Sequence, residues 1–245
     1  MTLGLALLAA VSGYVIGSIP FALIVVRLFG GGERLQAASL RVPGSDHCLR
    51  TDAVSATTVR LQLGTRYGCL TSLLDMAKAA AITLAFRIAF PQDLYFLIAS
   101  GFCVVGHVWP VFNRFRGGRG QSPAIGGLLV IDWTTPIIIY PLGQLLGLVT
   151  KSRGIVGRFA PMLIAAGWLY FRTQEPAFIA YGLGLFAVRV IAMSTELRQY
   201  LAIRKDGGLS SVSDELGLLG YDKLLAGLRT RLRGLADPFR KRRSG

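Results

Sequence analysis

The chain has 245 residues, of which 52% are hydrophobic and 16% are charged, and its mean hydropathy is +0.52. Soluble domains carry about 25% charged residues, so this composition excludes an ordinary soluble domain and indicates an integral membrane protein. The alternating ten-residue pattern of a membrane β-barrel is absent, which leaves membrane-spanning helices. The net charge of +14 would suit a nucleic-acid-binding protein. However, the basic residues cluster in loops between apolar segments, so we predict a membrane protein that does not bind nucleic acid.

Apolar segments follow one another along most of the chain. The first, from Thr2 to Val26, has no basic residue before it and is longer than the core of a signal peptide, so we expect a retained helix. Five segments approach the roughly 20 residues that span a bilayer and are predicted to be transmembrane helices: 3–28, 67–90, 94–113, 155–171 and 175–195. The three cysteines have neither metal-ligand nor disulfide spacing and are expected to be packing residues: Cys48, Cys69 and Cys103.

The stretch from Gly120 to Thr150 decides the number of passes, because its 31 residues contain a single charge, Asp132. One crossing would put the basic residues of 151–158 on the opposite side of the membrane from those of 114–119. If the sequence DWTTP at 132–136 is a turn between two short passes, all the basic loops share one side. At about 1.5 Å per residue these passes would be marginally long, so we expect them to be tilted, half-buried or re-entrant.

The arrangement with a turn at 132–136 places 23 of the 27 Lys and Arg residues on one side of the membrane. The positive-inside rule therefore favours seven passes, with the N-terminus outside and the C-terminus in the cytoplasm. The predicted fold is an all-α membrane protein, a seven-pass helical bundle with a basic amphipathic C-terminal helix in the cytoplasm. Residues 1–200 would form the polytopic membrane domain, and residues 201–245 a basic amphipathic cytoplasmic tail.

The tail is predicted to contain a helix that starts near 211–213 with acidic residues in its first turn. Five leucines form an apolar stripe beside three arginines: Leu218, Leu225, Leu228, Leu232, Leu235, Arg229, Arg231 and Arg233. Basic amphipathic helices of this kind lie on an anionic membrane leaflet. The alternative is a solvated tail with no special role.

A polar stretch, GHVWPVFNRFRGGRGQSPAIGG, interrupts the apolar segments from Gly106 to Gly127. Its residues 114–120, called here the glycine–arginine loop, precede a predicted helix. Glycines before a helix expose backbone N–H groups, the helix dipole adds positive charge, and Arg119 supplies a cation with planar donors. These are the parts of a phosphate-binding cradle. The alternative is a cytoplasmic loop whose arginines serve topology and contact lipid headgroups.

Three ionisable residues lie within the predicted membrane helices. His107 is near the cytoplasmic end of its helix, where it is either a packing residue or a functional group. Asp75 and Lys78 are spaced i, i+3, so they share one helix face and can form an ion pair that lowers the cost of burial. They are either a structural pair or part of a site.

The long first loop, from Phe29 to about Arg66, combines hydroxyl groups with basic side chains. Its hydroxyl residues include Thr51, Ser55, Thr57 and Thr58, and its arginines lie at 34, 41, 50, 60 and 66. Hydroxyls and guanidinium groups both donate hydrogen bonds to oxyanions. Such a loop could fold back over an anionic ligand at the membrane face.

Together these stretches resemble the bacterial membrane glycerol-3-phosphate acyltransferases that use acyl phosphate as donor, the PlsY type. GSIPFALIVVRLFGG is similar to the family's Gly-Ser-Ile-Pro-Phe start. VSATTVRLQLGTRYGCLTSLLDMAKAAA resembles its Gly-Ala-Thr-Asn-Val stretch, which is followed by Leu-Asp and Lys. GHVWPVFNRFRGGRG closely resembles its Gly-His-x-x-Pro-x-Phe and Phe-Lys-Gly-Gly-Lys-Gly. The resemblance covers roughly residues 10–200, so residues 1–200 are expected to form an acyltransferase-like domain.

The first loop departs from the family pattern in its hydroxyl motif. The family's Gly-Ser-Gly-Asn falls on residues 50–53, so Thr51 stands at the serine and the asparagine is lost. Ser45, in PGSDH, is the other candidate hydroxyl. The family's arginine falls on Leu61, with Arg60 one position away.

The later motifs differ as well. Arg116 and Arg119 replace the two lysines of the family's glycine loop, and residues 121–123 replace its Val-Ala-Thr. The family's last motif, with a histidine, an asparagine and a later glutamate, has no recognisable counterpart in MSTELRQYLAIRKDGG. In that segment Arg198 and Gly207 align.

The resemblance implies acyl transfer from acyl phosphate to the primary hydroxyl of glycerol 3-phosphate, in a divergent family member of the inner membrane. The implied partners are these two substrates and a bilayer with anionic headgroups; no cofactor is implied, and no metal-ligand set is present. The implied catalytic residues are Thr51, Lys78 and His107. The implied phosphate-binding residues are Arg60, Arg116, Gly117, Gly118, Arg119, Gly120 and Ser122.

Two other functions remain open at the level of the sequence. The missing last motif is compatible with a paralogue that is either inactive and regulatory or acts on another acyl or phospho-substrate. Activity with acyl phosphate would exclude an inactive paralogue. A transporter of a phosphorylated metabolite would show an inverted repeat or paired broken helices. Apart from DWTTP, the sequence shows neither feature.

Overall fold

The computed structural model describes residues 1–41, 48–150, 152 and 155–205. This part of the chain is mostly helical, which confirms the predicted fold class at that level. Its α-helices are α1 Leu3–Gly17, α2 Phe21–Phe29, α3 Ala56–Leu63, α4 Thr65–Ala89, α5 Tyr95–Val108, α6 Gln121–Ile131, α7 Thr134–Val149, α8 Val156–Thr173, α9 Pro176–Ala192 and α10 Ser194–Lys205. A two-stranded antiparallel ribbon, which the all-α prediction omitted, lies between α2 and α3: β1 Ala38–Arg41 and β2 Cys48–Thr51.

Helix α5 lies at the centre of the bundle and contacts α1, α4, α6 and α9. Gly13 and Gly17 of α1 face the backbone of Ala99 and Cys103 on α5, so closely that a Cβ on either glycine would overlap a carbonyl group. Small residues let two membrane helices approach to backbone contact, where dispersion forces are strongest. The buried side chains of α5 therefore form the centre of the main apolar core.

The cysteines differ in their surroundings. Cys103 is buried in the core, as predicted for a packing residue. Cys48 and Cys69 are exposed, so the prediction of a packing role is wrong for these two. Cys48 belongs to the ribbon, and Cys69 lies on an outward face of α4. The residue type by itself does not show whether a cysteine is buried or exposed.

Among the residues that the structure describes, three helical spans are long and apolar enough to cross a membrane: Leu3–Phe29, Thr65–Ala89 and Tyr95–Asn113. A fourth results if α9 and α10, which meet at 66°, are counted as one bent span. Helices α6 and α7 are apolar but shorter than these spans. The multi-pass membrane class predicted from composition is thus confirmed.

The break between α6 and α7 lies at Asp132 and Trp133, and the remaining residues of DWTTP begin α7. Asp132 accepts hydrogen bonds from the hydroxyls of Thr134 and Thr135, each at 2.8 Å. Arg172, at the end of α8, lies 3.7 Å from the same carboxylate. Burial opposes ionisation, but these hydrogen bonds and the nearby guanidinium outweigh it and lower the pKa of Asp132.

The first loop is folded against the helices. In the ribbon, Ala38 of β1 is paired with Thr51 of β2. Ser55 caps α3 by accepting a hydrogen bond from the backbone N–H of Thr58 at 3.4 Å. Val59 of α3 is fully buried in an apolar cluster with residues of α2. These contacts fix the end of β2 and the start of α3 at one end of the bundle.

Helix α10 is held by contacts to distant parts of the chain. The backbone N–H of Arg50 donates to Oε1 of Gln199 at 2.9 Å, and Nη1 of Arg204 donates to Oγ of Ser152 at 2.9 Å. The predicted amphipathic tail helix, together with Ser45, lies outside the described residues.

Candidate functional site

The glycine–arginine loop links α5 to α6 through a tight backbone path. Helix α5 ends before Pro110, which has no N–H to continue the helix. After a short 3₁₀ turn, Arg114 and Phe115 adopt positive φ angles of 51° and 60°. Gly120, with φ 75°, is the N-cap of α6. Positive φ at a non-glycine residue costs about 1–3 kcal/mol, so surrounding contacts must hold this path.

Two glycines of the loop lie directly on the end of α5. The N–H of Gly118 donates to the carbonyl oxygen of His107 at 3.1 Å, and a Cβ at this position would overlap the imidazole. A Cβ on Gly117 would overlap the backbone of His107 and the ring of Pro110. The N–H of Val54 donates to the carbonyl oxygen of Gly117 at 2.9 Å. Glycine is required at both positions by close approach, and the loop is bonded to the segment that follows β2.

Thr51, Arg119 and Glu196 converge from three separate elements, and we call them the loop cluster. Nε and Nη2 of Arg119 donate to Oε1 of Glu196 at 3.0 Å and 2.6 Å. The hydroxyl of Thr51 donates to the same oxygen at 2.6 Å and accepts from Nη2 of Arg119 at 3.0 Å. The Arg119 and Glu196 side chains are 15% and 10% exposed, so this ion pair is largely desolvated.

Arg189 of α9 holds the end of the loop and the start of α6 through hydrogen bonds. Its Nη1 donates to the carbonyl oxygen of Arg119 at 3.3 Å, its Nη2 to Oε1 of Gln121 at 2.8 Å, and its Nε to the carbonyl oxygen of Arg158 at 2.8 Å. The residue is 4% exposed. These three acceptors are neutral oxygens and do not cancel the charge of the guanidinium. The charge therefore adds to the positive electrostatic potential around the loop.

A second polar group, Asp75, Lys78 and His107, lies inside the bundle, and we call it the buried triad. Nζ of Lys78 lies 2.8 Å from Oδ1 of Asp75 and donates to the carbonyl oxygen of Ile19 at 2.8 Å. Nδ1 of His107 lies 3.2 Å from both Asp75 Oδ1 and Lys78 Nζ. The ion pair expected from the i, i+3 spacing is therefore present. A small cavity lined by Asp75, His107 and Gly117 lies between the buried triad and the loop.

The remaining predicted site residues lie around these two groups. Arg116 is exposed on the loop, and Arg60 is half-buried on α3. Oγ of Ser122, in the first turn of α6, lies 2.9 Å from Oγ of Ser72 on α4. The structure thus brings Thr51 and Arg119 into contact and joins Lys78 to His107.

Glu196 and Arg189 were missed by the sequence analysis. Arg189 is a single charge in the apolar sequence of α9, and such a charge in a membrane helix is a signal of function. Glu196 lies in the first turn of α10, where an acidic residue is also an ordinary helix-stabilising feature. Nothing in its local sequence identifies Arg119 as its partner.

No group of three or more His, Cys, Asp or Glu side chains suited to holding a metal ion is found in the part of the chain that the structure describes. The chemistry available in the two clusters comes from guanidinium, ammonium, hydroxyl, imidazole and carboxylate groups. The guanidinium, ammonium and hydroxyl groups, together with backbone N–H groups at a helix start, bind oxyanions and stabilise negative charge.

The glycerol-3-phosphate acyltransferase family matches residues 7–202, so the chain belongs to this family. The glycerol-3-phosphate acyltransferase of Rhodospirillum rubrum is 36% identical over 51% of this chain and 55% of its own length. That of Gluconobacter oxydans is 33% identical over 70% of this chain and 76% of its own length. The chain thus spans about half of the first relative and three quarters of the second.

Two solved structures of PlsY, an integral membrane glycerol 3-phosphate acyltransferase, share the fold. One is its lysophosphatidic acid form and the other its glycerol 3-phosphate form, and each has a TM-score of 0.65. They are 21% and 23% identical to this chain and cover 81% of it and 93% of their own chains. The predicted resemblance to the PlsY type is confirmed.

Proposed function

We propose that this chain transfers a fatty acyl group from an acyl phosphate to the primary hydroxyl of glycerol 3-phosphate. The hydroxyl oxygen forms a bond to the acyl carbonyl carbon, the bond from that carbon to the phosphate oxygen breaks, and the hydroxyl proton leaves with the phosphate or to water. The products are lysophosphatidic acid and inorganic phosphate. Because phosphate is already a good leaving group, positioning and charge stabilisation can supply most of the acceleration.

The observation that supports this function is the convergence of Arg119 and Thr51 on the glycine–arginine loop of a chain of this family. The guanidinium and the hydroxyl lie 3.0 Å apart, and the loop ends at the N-terminus of α6. Both substrates are phosphate esters or anhydrides, and this site combines a planar cation with backbone donors. Arg60, Arg116, Gly117, Gly118, Gly120 and Ser122 complete the proposed phosphate-binding set.

Lys78 and His107 are proposed to act on the substrate from inside the bundle, next to the loop. Lys78 supplies a buried positive charge that stabilises the oxyanion developing on the acyl carbonyl, because charges act strongly where water is excluded. His107 holds Gly118 through its carbonyl oxygen and borders the cavity with its side chain. Their distances to each other support a joint role.

We also propose seven passes in the cell inner membrane, with the N-terminus outside and the C-terminus in the cytoplasm. The Met1 amine lies 3.2 Å from Asp93, and Arg172 lies 3.7 Å from Asp132. Both ion pairs lie at helix ends on the side of the bundle opposite the glycine–arginine loop. The basic loops share the other side, as the positive-inside rule favours. The tail would lie on anionic headgroups there.

The test is phosphate release from palmitoyl phosphate by the purified protein, with and without glycerol 3-phosphate, while lysophosphatidic acid is followed by thin-layer chromatography. We expect acceptor-dependent lysophosphatidic acid and an equal amount of phosphate. Arg119→Ala should lower the rate by about 10²–10³-fold, the usual cost of removing a transition-state donor. Arg66→Ala, at an exposed arginine at the start of α4, is the matched control and should keep the wild-type rate. A folded wild-type protein that makes no lysophosphatidic acid would contradict the proposal.

A further inference from the structure

We propose that Glu196 is an internal ligand that competes with substrate phosphate for Arg119 and Thr51, and so sets the affinity of the site for phosphate-bearing substrates. This inference rests on the proposed function, because it concerns the same site. Glu196 would thereby determine specificity, although it belongs to none of the family motifs recognised in the sequence.

The geometry of the carboxylate is that of a bound oxyanion. Oε1 of Glu196 accepts hydrogen bonds from Nε and Nη2 of Arg119 and from the hydroxyl of Thr51. These two nitrogens form an edge of the guanidinium, the feature that binds carboxylate and phosphate oxygens. The three donors therefore surround Oε1 as they would surround one phosphate oxygen.

The fit of Glu196 to this position is incomplete. Its second oxygen, Oε2, is buried and has no hydrogen-bond partner among the described residues. A buried acceptor without a donor is unfavourable, because it has lost its hydration without replacement. A phosphate group has three terminal oxygens and more negative charge, so it can use the donors of the loop more fully than this carboxylate does.

The two anions cannot share the position. A phosphate bonded to Arg119 would lie next to the carboxylate, and like charges repel strongly where water is excluded. Binding of phosphate therefore requires Glu196 to leave. Its departure removes one of the contacts that hold α10, beside the bonds from Arg50 to Gln199 and from Arg204 to Ser152, so the helix is less firmly held once phosphate is bound.

The experiment compares the wild type with Glu196→Gln, which keeps the size of the side chain and removes its charge. Binding of inorganic phosphate and of glycerol 3-phosphate is measured by isothermal titration calorimetry on the full chain in detergent. We expect Glu196→Gln to bind both ligands about tenfold more tightly, because the neutral amide competes less strongly for Arg119 than the carboxylate does. Glu175→Gln is the control, since Glu175 is an exposed glutamate before α9 and its substitution should not change either affinity.

Unchanged or weaker binding by a folded Glu196→Gln protein would overturn the inference and show that the carboxylate only positions Arg119. If this variant does not fold, hydrogen exchange of the wild type gives the answer. Phosphate should then speed amide exchange in Ser194–Lys205, and unchanged or slower exchange would overturn the inference. Tighter binding without any lysophosphatidic acid would uphold this inference and refute the proposed reaction, whereas acyl transfer with unchanged affinity would do the reverse.

Discussion

The N–H of Gly118 donates to the carbonyl oxygen of His107 at 3.1 Å, and the glycine lies against the imidazole of the same residue. One histidine thus contacts the glycine–arginine loop through its backbone and the Asp75–Lys78 pair through its ring. This double contact joins the glycine–arginine loop, which carries Arg119, to the buried triad. It also leaves no room for a side chain at residue 118.

Gly118→Ala should therefore displace the loop and lower acyl-transfer activity by about 100-fold, the cost expected when reacting groups shift by about 1 Å. The added methyl group would overlap the imidazole, so either the loop or the ring must move. The activity is measured with palmitoyl phosphate and glycerol 3-phosphate, and folding is checked by thermal unfolding in detergent.

Gly184→Ala is the matched control for this substitution. Gly184 lies in α9, and a Cβ there would have no heavy atom within 4 Å. Alanine is favoured over glycine inside a helix by about 0.5–1 kcal/mol, so this variant should be fully active and no less stable. Full activity of Gly118→Ala would show that the close contact with His107 has no role in the reaction.

Arg189 is expected to act as a positioning residue through the backbone of the loop. Arg189→Gln removes most of the bonds to the Arg119 carbonyl, to Gln121 and to the Arg158 carbonyl, and it leaves buried acceptors unsatisfied at about 1–3 kcal/mol each. We expect kcat to fall about 10- to 100-fold, with a raised KM for glycerol 3-phosphate.

Arg189→Lys should recover only part of the activity, because an ammonium group cannot reproduce the planar set of donors. Arg172→Gln is the control, since Arg172 lies beside Asp132 at the α6–α7 connection. If Arg189→Gln changes thermal stability but leaves kcat and KM as in the wild type, the residue is structural only.

The Asp132 carboxylate should give the protein an acid-sensitive contribution to stability. Hydrogen bonds from Thr134 and Thr135 lower its folded-state pKa below the unfolded value of about 3.9, despite its burial. The contribution is therefore complete above the unfolded pKa and is lost as the pH falls through the folded pKa. The thermal unfolding midpoint of the wild type should decrease over this range, and that of Asp132→Asn should decrease less. Parallel pH curves for the two proteins would show that this turn does not contribute.

The sequence predicted those features that depend on neighbouring residues. Hydropathy identified the apolar spans, because a helix must cover the hydrocarbon thickness with its own residues. The spacing of Asp75 and Lys78 predicted their ion pair, since i and i+3 lie on one helix face. The glycine–arginine loop could be identified from its glycines, because glycine is required where backbones approach closely.

Features that depend on how distant segments pack could not be predicted from the sequence. The ribbon of β1 and β2 forms within a loop whose local residues gave no clear strand pattern. The exposed Cys48 and Cys69 were not distinguishable by residue type from the buried Cys103. Residue type indicates what can be buried, whereas the packing of the helices decides what is buried.

By itself, the sequence determined the membrane class, the family and the position of the loop, because these follow from local composition and motif order. Only the tertiary structure decided that Thr51, Arg119 and Glu196 meet, since Arg119 is separated from its two partners by 68 and 77 residues. Such contacts arise when the folded loop, the helix bundle and α10 pack together and bury charges that must then find partners. Local patterns carry no information about which distant charge that partner will be.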